Sequence, residues 1–253
     1  LQDKSFAVAY PPDVDEDLTA SIRDSGLFVP VALQERPGRL FRIVAGSRRI
    51  LAVKAAGLTT VAARIISPEA EVRELFIWNI RENAATRTLN DMEKSLALHR
   101  LAADFGAGEE EVLQVMPLIG LEPAKRVLSQ YTGLVQLNHE LRRYLASQTI
   151  PVHVGSRIAA WVIEDQDALC GLLRVIRMGG NILKEVIGLL EEITLRDRMK
   201  IADVLVKREL QEVLEAPRLT STGSVTMSGV QVKEWDVGGI FVGVGPEQSY
   251  LFA

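Results

Sequence analysis

The chain has 253 residues, 47% of them hydrophobic, and a formal net charge of -4. That length buries a sizeable core and favours two domains over one. The acidic balance excludes a protein that coats nucleic acid non-specifically, since such binding needs many Lys and Arg against phosphates; any nucleic-acid contact must use a local basic surface. No apolar run approaches the roughly 20 residues that cross a bilayer, because charges interrupt even residues 182–195, and no signal-peptide pattern opens the sequence. No membrane partner is expected, and the cytoplasm is the default compartment. The chain starts at Leu1, from which the expectation is that an N-terminal arm is missing. A lone Cys170 among Ala168, Leu169, Leu172 and Leu173 reads as a buried structural thiol.

In chain order, residues 5–10 alternate weakly and precede Pro11-Pro12, which predicts a short strand and a turn. A helix follows, capped by Asp15 or Asp17, with Leu18 and Ile22 at helical spacing and Gly26 as its stop. Residues 30–34 look extended, 36–39 form a turn, and 40–44 are a second strand. That strand runs into Ala45-Gly46-Ser47-Arg48-Arg49 and an apolar helical segment closed by Gly57, after which residues 60–66 return as a β-branched strand. From Glu69 to about Glu215 the period is helical, with breaks at 106–108, 116–123, 149–155 and 179–180. After Pro217, Ser, Thr, Gly and Val dominate, and alternation over 225–235 and 239–244 predicts a hairpin or a few strands.

A strand that ends in glycine and opens a helix with two arginines is a sensible anion site. Gly46 lets the backbone approach a ligand, the first-turn N–H groups point at it, and Arg48 or Arg49 adds charge and forked hydrogen bonds. On its own the string reads more readily as an ordinary turn with two solvated arginines. Upstream, residues 18–31 join a helix to a strand through Gly26 and Pro30, the shape of a ligand-facing loop. Downstream, Glu82 and Asn83 stand together at what reads as a helix start, where a carboxylate and an amide can hold hydrated Mg2+ beside a polyphosphate; the alternative is a plain polar helix start.

Together these segments resemble the ParB family, within the fold group it shares with sulfiredoxin. The matching boxes are Ser21-Ile22 with Gly26 and Pro30-Val31; residues 43–52 with Gly57; and Glu82-Asn83 with Arg87, Leu89 and Glu93, in order across about ninety residues. The resemblance implies a nucleotide site, for CTP, built from Gly26, Pro30, Gly46, Ser47, Arg48, Arg49, Glu82, Asn83 and Arg87, with Glu82 and Asn83 on Mg2+. Two departures stand out. Ser47 replaces the usual acid of the arginine box, and Arg87 lies one position later than in the commonest form. Serine can still donate to a phosphate oxygen, so binding is expected and at most slow CTP hydrolysis. Sulfiredoxin chemistry needs a cysteine in the phosphate loop, where this chain has Ser47.

The family order also implies a helix-turn-helix after the nucleotide domain. Here it would use helices over 109–116 and 123–132, with Lys125, Arg126, Gln130 and Tyr131 reaching DNA. The connection over 116–123 is longer than the usual three or four residues, and acids balance the bases nearby, so a helical packing module without groove contacts is the alternative. His99, His139 and His153 are scattered without metal-site spacing. Residues 181–195 read as a buried core helix, or as a dimer or partner helix.

The expected fold class is therefore α+β: a ParB/sulfiredoxin-like domain over 1–80, an all-α domain with a helix-turn-helix-like segment over 81–216, and a β-rich tail over 217–253. The expected function is a DNA-associated partition protein in which Mg2+-CTP switches self-association or DNA engagement. Its expected partners are DNA, a second copy in a homodimer, and a ParA-like ATPase through the missing arm. The alternatives are an enzyme of the same fold, a small-molecule kinase or nuclease, and a helical interaction module that binds neither nucleotide nor DNA.

Overall fold

The computed structural model describes residues 6–38, 40–176 and 178–206, with short strand pieces between 226 and 250. The chain divides into two units, residues 1–166 with 179–184, and residues 167–178 with 185–253.

The first unit opens with an extended segment. Phe6, Val8 and Tyr10 are buried while Ala7 and Ala9 are half-buried, which is the alternation expected of a strand. No strand pairs with it among the described residues. Side chains take the place of a ladder: Arg100 Nη1 donates to the Ala7 carbonyl at 2.6 Å, the Tyr10 N–H donates to Glu93 Oε1 at 3.1 Å, and Asn90 Nδ2 donates to the Tyr10 carbonyl at 2.8 Å. The expected strand over 5–10 is thus corrected to an extended arm held by side chains.

Helix α1, Glu16–Ser25, is capped by Asp15, whose carboxylate accepts from the Leu18 N–H at 2.9 Å, with Glu16 and Asp17 complementing the helix dipole. Strand β1, Val31–Arg36, turns through Gly38 (φ 80°) into β2, Leu40–Ala45. Helix α2, Ser47–Ala55, then crosses to β3, Ala63–Ile66, which is shorter than the expected 60–66. The sheet order is β2-β1-β3, with β1 antiparallel to β2 and parallel to β3. Ile22 on α1 and Ala52 and Val53 on α2 form a small core under this layer.

Helix α3, Val72–Thr86, starts at the cap Glu71 and packs on β2 through buried Phe76, Asn79 and Ile80. Apolar spacing from Val72 onward continues to Thr86, so Glu82 and Asn83 lie in the last turns of a helix, not at a helix start, and the domain boundary expected after residue 80 falls inside α3. Helix α4, Asp91–Ala103, begins with a reciprocal capping box between Asn90 and Glu93. Its residues Met92, Ala97, Leu98 and Leu101 are fully buried. Phe76 of α3 stacks on Phe105 with ring centres 4.3 Å apart, and Phe6 meets both rings edge-on at 5.5 and 5.4 Å.

Around α4 lie α5, Glu109–Val115; α6, Lys125–Gly133; α7, His139–Ala146; and α8, Val152–Ile158. The break expected over 149–155 is only partly present, because Gly155 sits inside α8. There it is a packing glycine: an added Cβ would lie 3.2 Å from Leu134 Cδ2 and 3.3 Å from Leu145 Cδ1. The mostly helical character with one small three-stranded sheet agrees with an α+β class.

In the second unit, α9 (Ile163–Val175) and α10 (Gly180–Asp197) contribute the residues that belong to it, followed by α11, Ile201–Val206. Cys170 is buried there as expected, as are Leu169, Ile187, Leu190 and Val204. The β-rich tail expected after Pro217 falls outside the described residues apart from two short antiparallel strand pairs, and as a whole it gains no support. No helix among the described residues is long and apolar enough to cross a membrane.

Glu93 carries the junction between α3 and α4. Its carboxylate is 4% exposed and accepts from Arg87 Nη1 at 2.6 Å, Arg87 Nη2 at 2.8 Å, the Tyr10 N–H and the Asn90 N–H. Removing one member of such a buried, doubly bonded pair strands the other charge. Glu93→Gln should therefore lose about 3 kcal/mol of stability, read as a lower urea midpoint with an unchanged m-value.

Candidate functional site

The site begins where β2 ends. Gly46 adopts φ 96°, the left-handed region, and a Cβ there would lie 2.8 Å from Val31 Cγ1 and 3.1 Å from Val31 Cβ. Only glycine lets the turn lie flat on β1 and launch α2 from that position. The first backbone bond of α2 runs from the Ile50 N–H to the Gly46 carbonyl at 2.9 Å. The N–H groups of Ser47, Arg48 and Arg49 consequently have no acceptor within the helix, and they form its positive end.

Asn79, which sequence reasoning missed, supports this turn from behind. It is 5% exposed, and its Nδ2 donates to the Val44 carbonyl at 2.5 Å, fixing the strand end two residues before Gly46. Asn83 Nδ2 in turn donates to the Asn79 carbonyl at 2.9 Å. The available signal was an amide on the apolar stripe of α3, between Phe76 and Ile80, where a polar side chain requires a partner.

Both arginines of the turn already have carboxylate partners. Arg48 Nη2 meets Asp15 Oδ2 at 2.5 Å, joining α2 to the cap of α1. Arg49 Nη1 donates to the Val29 and Pro30 carbonyls at 3.1 and 2.8 Å, while its Nη2 meets Glu82 Oε1 at 2.8 Å. The structure thus brings together Gly46, Ser47, Arg48, Arg49, Pro30 and Glu82, with Asn83 next in line on α3. Gly26 ends α1 with φ 78° at the head of the same 26–30 loop. The acidic partner Asp15 was legible only as a helix cap. Its carboxyl is held below the ordinary carboxylate range, first by the Leu18 N–H, against an opposing effect of burial, and then by Arg48.

Arg87 does not join this group. Both its terminal nitrogens bond the Glu93 carboxylate in this structure, not a residue of the Gly46 turn. The extra residue before it carries it past the end of α3, where it is the extended C-cap.

The second expected site lies on α6. Lys125 is exposed and paired with Glu109, which raises its pKa through a hydrogen bond and direct attraction. Arg126 is exposed and Gln130 half-buried. Tyr131 is buried at 7% exposure, and its hydroxyl donates to Asp91 at 2.7 Å; burial first, then Asp91, pushes its pKa up. It anchors α6 to α4, and its expected contact with DNA is corrected. The link between α5 and α6 contains a 3-10 turn, Met116–Ile119, and a left-handed Gly120 (φ 72°), with Met116 and Ile119 buried as part of the core.

A glycine turn at a helix N-terminus, flanked by two arginines and backed by a carboxylate-bearing helix, is a geometry suited to an anion, set in a small α/β domain that a helical bundle follows. Residues 10–94 match the family model of the ParB N-terminal domain. A probable chromosome-partitioning protein ParB of Vibrio cholerae is 29% identical over 155 residues, 61% of this chain and 50% of that protein. The Coxiella burnetii protein of the same name is 36% identical over 107 residues, 41% of this chain and 35% of its own length. The chain thus spans half or less of these relatives. Among solved structures, C-terminally truncated ParB of Caulobacter crescentus bound to the centromeric parS site is 26% identical, with a TM-score of 0.40 over 70% of this chain and 88% of that one. The same protein with CTP-gamma-S is 29% identical, with a TM-score of 0.27 over 62% and 84%.

Two predictions concern the site's frame. Gly46→Ala should lower stability by roughly 2 kcal/mol, from the strained φ and the collision with Val31, measured by thermal unfolding. Because the folded-state pKa of Asp15 is depressed, its contribution is fully present above the ordinary carboxylate range, about pH 4, and is lost as pH falls through the depressed value. The stability gap between the parent and Asp15→Asn should therefore narrow on acidification; a gap constant from pH 7 to pH 3 would contradict this assignment.

Proposed function

We propose that this chain is a partition-type, DNA-associated protein whose N-terminal domain binds a nucleoside triphosphate with Mg2+ and uses it as a switch for self-association or DNA engagement. The observation that carries the reading is the convergence of Arg48 and Arg49 on the Gly46 turn at the start of α2, within a domain of the ParB N-terminal family. The free N–H groups of that first turn, the Ser47 hydroxyl and the two guanidinium groups supply donors for phosphate oxygens. CTP, the nucleotide that the family resemblance implies, is the first to test.

A divalent cation suits the other side of the site. Glu82 and Asn83 offer hard oxygen atoms in the last turns of α3, where the helix dipole is negative, and the Arg49 guanidinium already sits there as a stand-in cation. When bound, the cation would neutralise phosphate charge. Ser47 in place of an acid supports binding over hydrolysis. For DNA, the reading keeps Lys125, Arg126 and Gln130 on α6, while self-association and contact with a ParA-like ATPase belong to the same proposal.

Thermal unfolding with CTP, ATP and GTP in Mg2+ is the direct test, since a ligand at 100 times its Kd stabilises by about 2.7 kcal/mol. CTP should stabilise the parent chain, and Arg48→Ala should weaken that effect at least tenfold. If no nucleotide stabilises the parent, the reading fails. A parallel anisotropy titration with a parS duplex should show weaker binding by Arg126→Ala.

A further inference from the structure

We propose that Glu82 is an internal competitor for Arg49, so that the divalent cation is required for nucleotide binding chiefly because it takes over the Glu82 carboxylate when a phosphate takes the guanidinium. The proposal rests on the nucleotide reading above and adds a regulatory role for one residue of that site.

The geometry divides Arg49 into two ends. Nη1 is held by the Val29 and Pro30 carbonyls, which position the side chain against the 26–30 loop, and Nη2 faces Glu82 Oε1 at 2.8 Å. The side chains are 17% and 25% exposed, so the pair is only partly screened by solvent. A phosphate that engages the Nη2 end therefore arrives within a few ångströms of the Glu82 charge. The α3 carbonyls close to Glu82 add a partial negative charge from the helix end. Without a cation, the anion must displace one carboxylate and then remain beside it.

Arg48 differs in a way that isolates the effect. Its partner Asp15 is fixed by a second task, capping α1 through the Leu18 N–H, whereas among the described residues no backbone N–H bonds the Glu82 carboxylate. Glu82 is thus free to change partners, from the guanidinium to a cation, without releasing a helix cap. An Arg49–phosphate and Glu82–cation exchange leaves neither side chain unpaired when the Arg49–Glu82 pair breaks. By linkage, it makes nucleotide affinity and cation affinity reinforce one another.

The prediction has opposite signs under two conditions. CTP binding to the full chain is measured by calorimetry for the parent, Glu82→Gln and Glu82→Ala, in Mg2+ and again in EDTA. The parent should bind in Mg2+ and weaken by at least about a hundredfold in EDTA. Both variants should bind more weakly than the parent in Mg2+ yet about tenfold more tightly than the parent in EDTA, because the competing charge is gone. Melting curves identify a variant that does not fold, and the other then carries the test. If the parent binds in Mg2+ but the variants gain nothing in EDTA, Glu82 acts only on the cation side and the competitor role is overturned. If the parent binds no nucleotide in either buffer, the nucleotide reading itself falls first.

Discussion

The buried Glu93 carboxylate is the interaction on which the first unit depends. It closes the cap of α4, receives both terminal nitrogens of Arg87 at the end of α3, and holds the backbone of the N-terminal arm at Tyr10. A carboxylate so deeply buried is tolerable only because its oxygens are satisfied by four donor nitrogens, two of them from one forked cation. The result is a fixed corner between α3 and α4. It sets the direction of α3, and α3 carries Asn79 and Glu82 to the glycine turn.

Seen from that corner, the candidate site is a meeting of two helix ends of opposite sign. The first turn of α2 offers unpaired N–H groups, while the last turns of α3 offer a carboxylate, and Arg49 bridges them. Asn79 holds the strand end between, so the turn is positioned before any ligand arrives. The parts that must stay rigid are tied by buried amides and backbone bonds. Those that would exchange partners, Arg49 and Glu82, are tied by a partly exposed ion pair.

Much of this was legible in the chain. Asp15, Gly26, Gly38, Gly46 and Gly57 marked element ends because caps and positive φ angles leave strong local signatures. Ranges for β2, α2 and α5 followed from periodicity, and the three boxes brought Pro30, Arg49 and Glu82 into one neighbourhood. What sequence could not supply were pairings between distant residues. The resemblance assigns Arg87 to the ligand, and nothing in the local sequence marks Glu93 as both the closing residue of the α4 cap and the partner of Arg87. Tyr131 shares a helix with Arg126, and only the packing of α6 on α4 decides which of the two faces solvent. The N-terminal arm has the alternation of a strand, yet its hydrogen bonds go to side chains, a choice that periodicity cannot reveal.

The aromatic trio of Phe6, Phe76 and Phe105 bears on how this protein can be divided. The family match runs over residues 10–94, but two of the three rings lie outside those limits, one on either side. A fragment trimmed to the inherited domain would leave Phe76 bare on two faces and strip Val8 and the Arg100 tether from the arm. The matched segment thus ends short of its own aromatic cluster on both sides. Helix α4 and the turn that carries Phe105 serve the sheet-bearing domain as its own back wall.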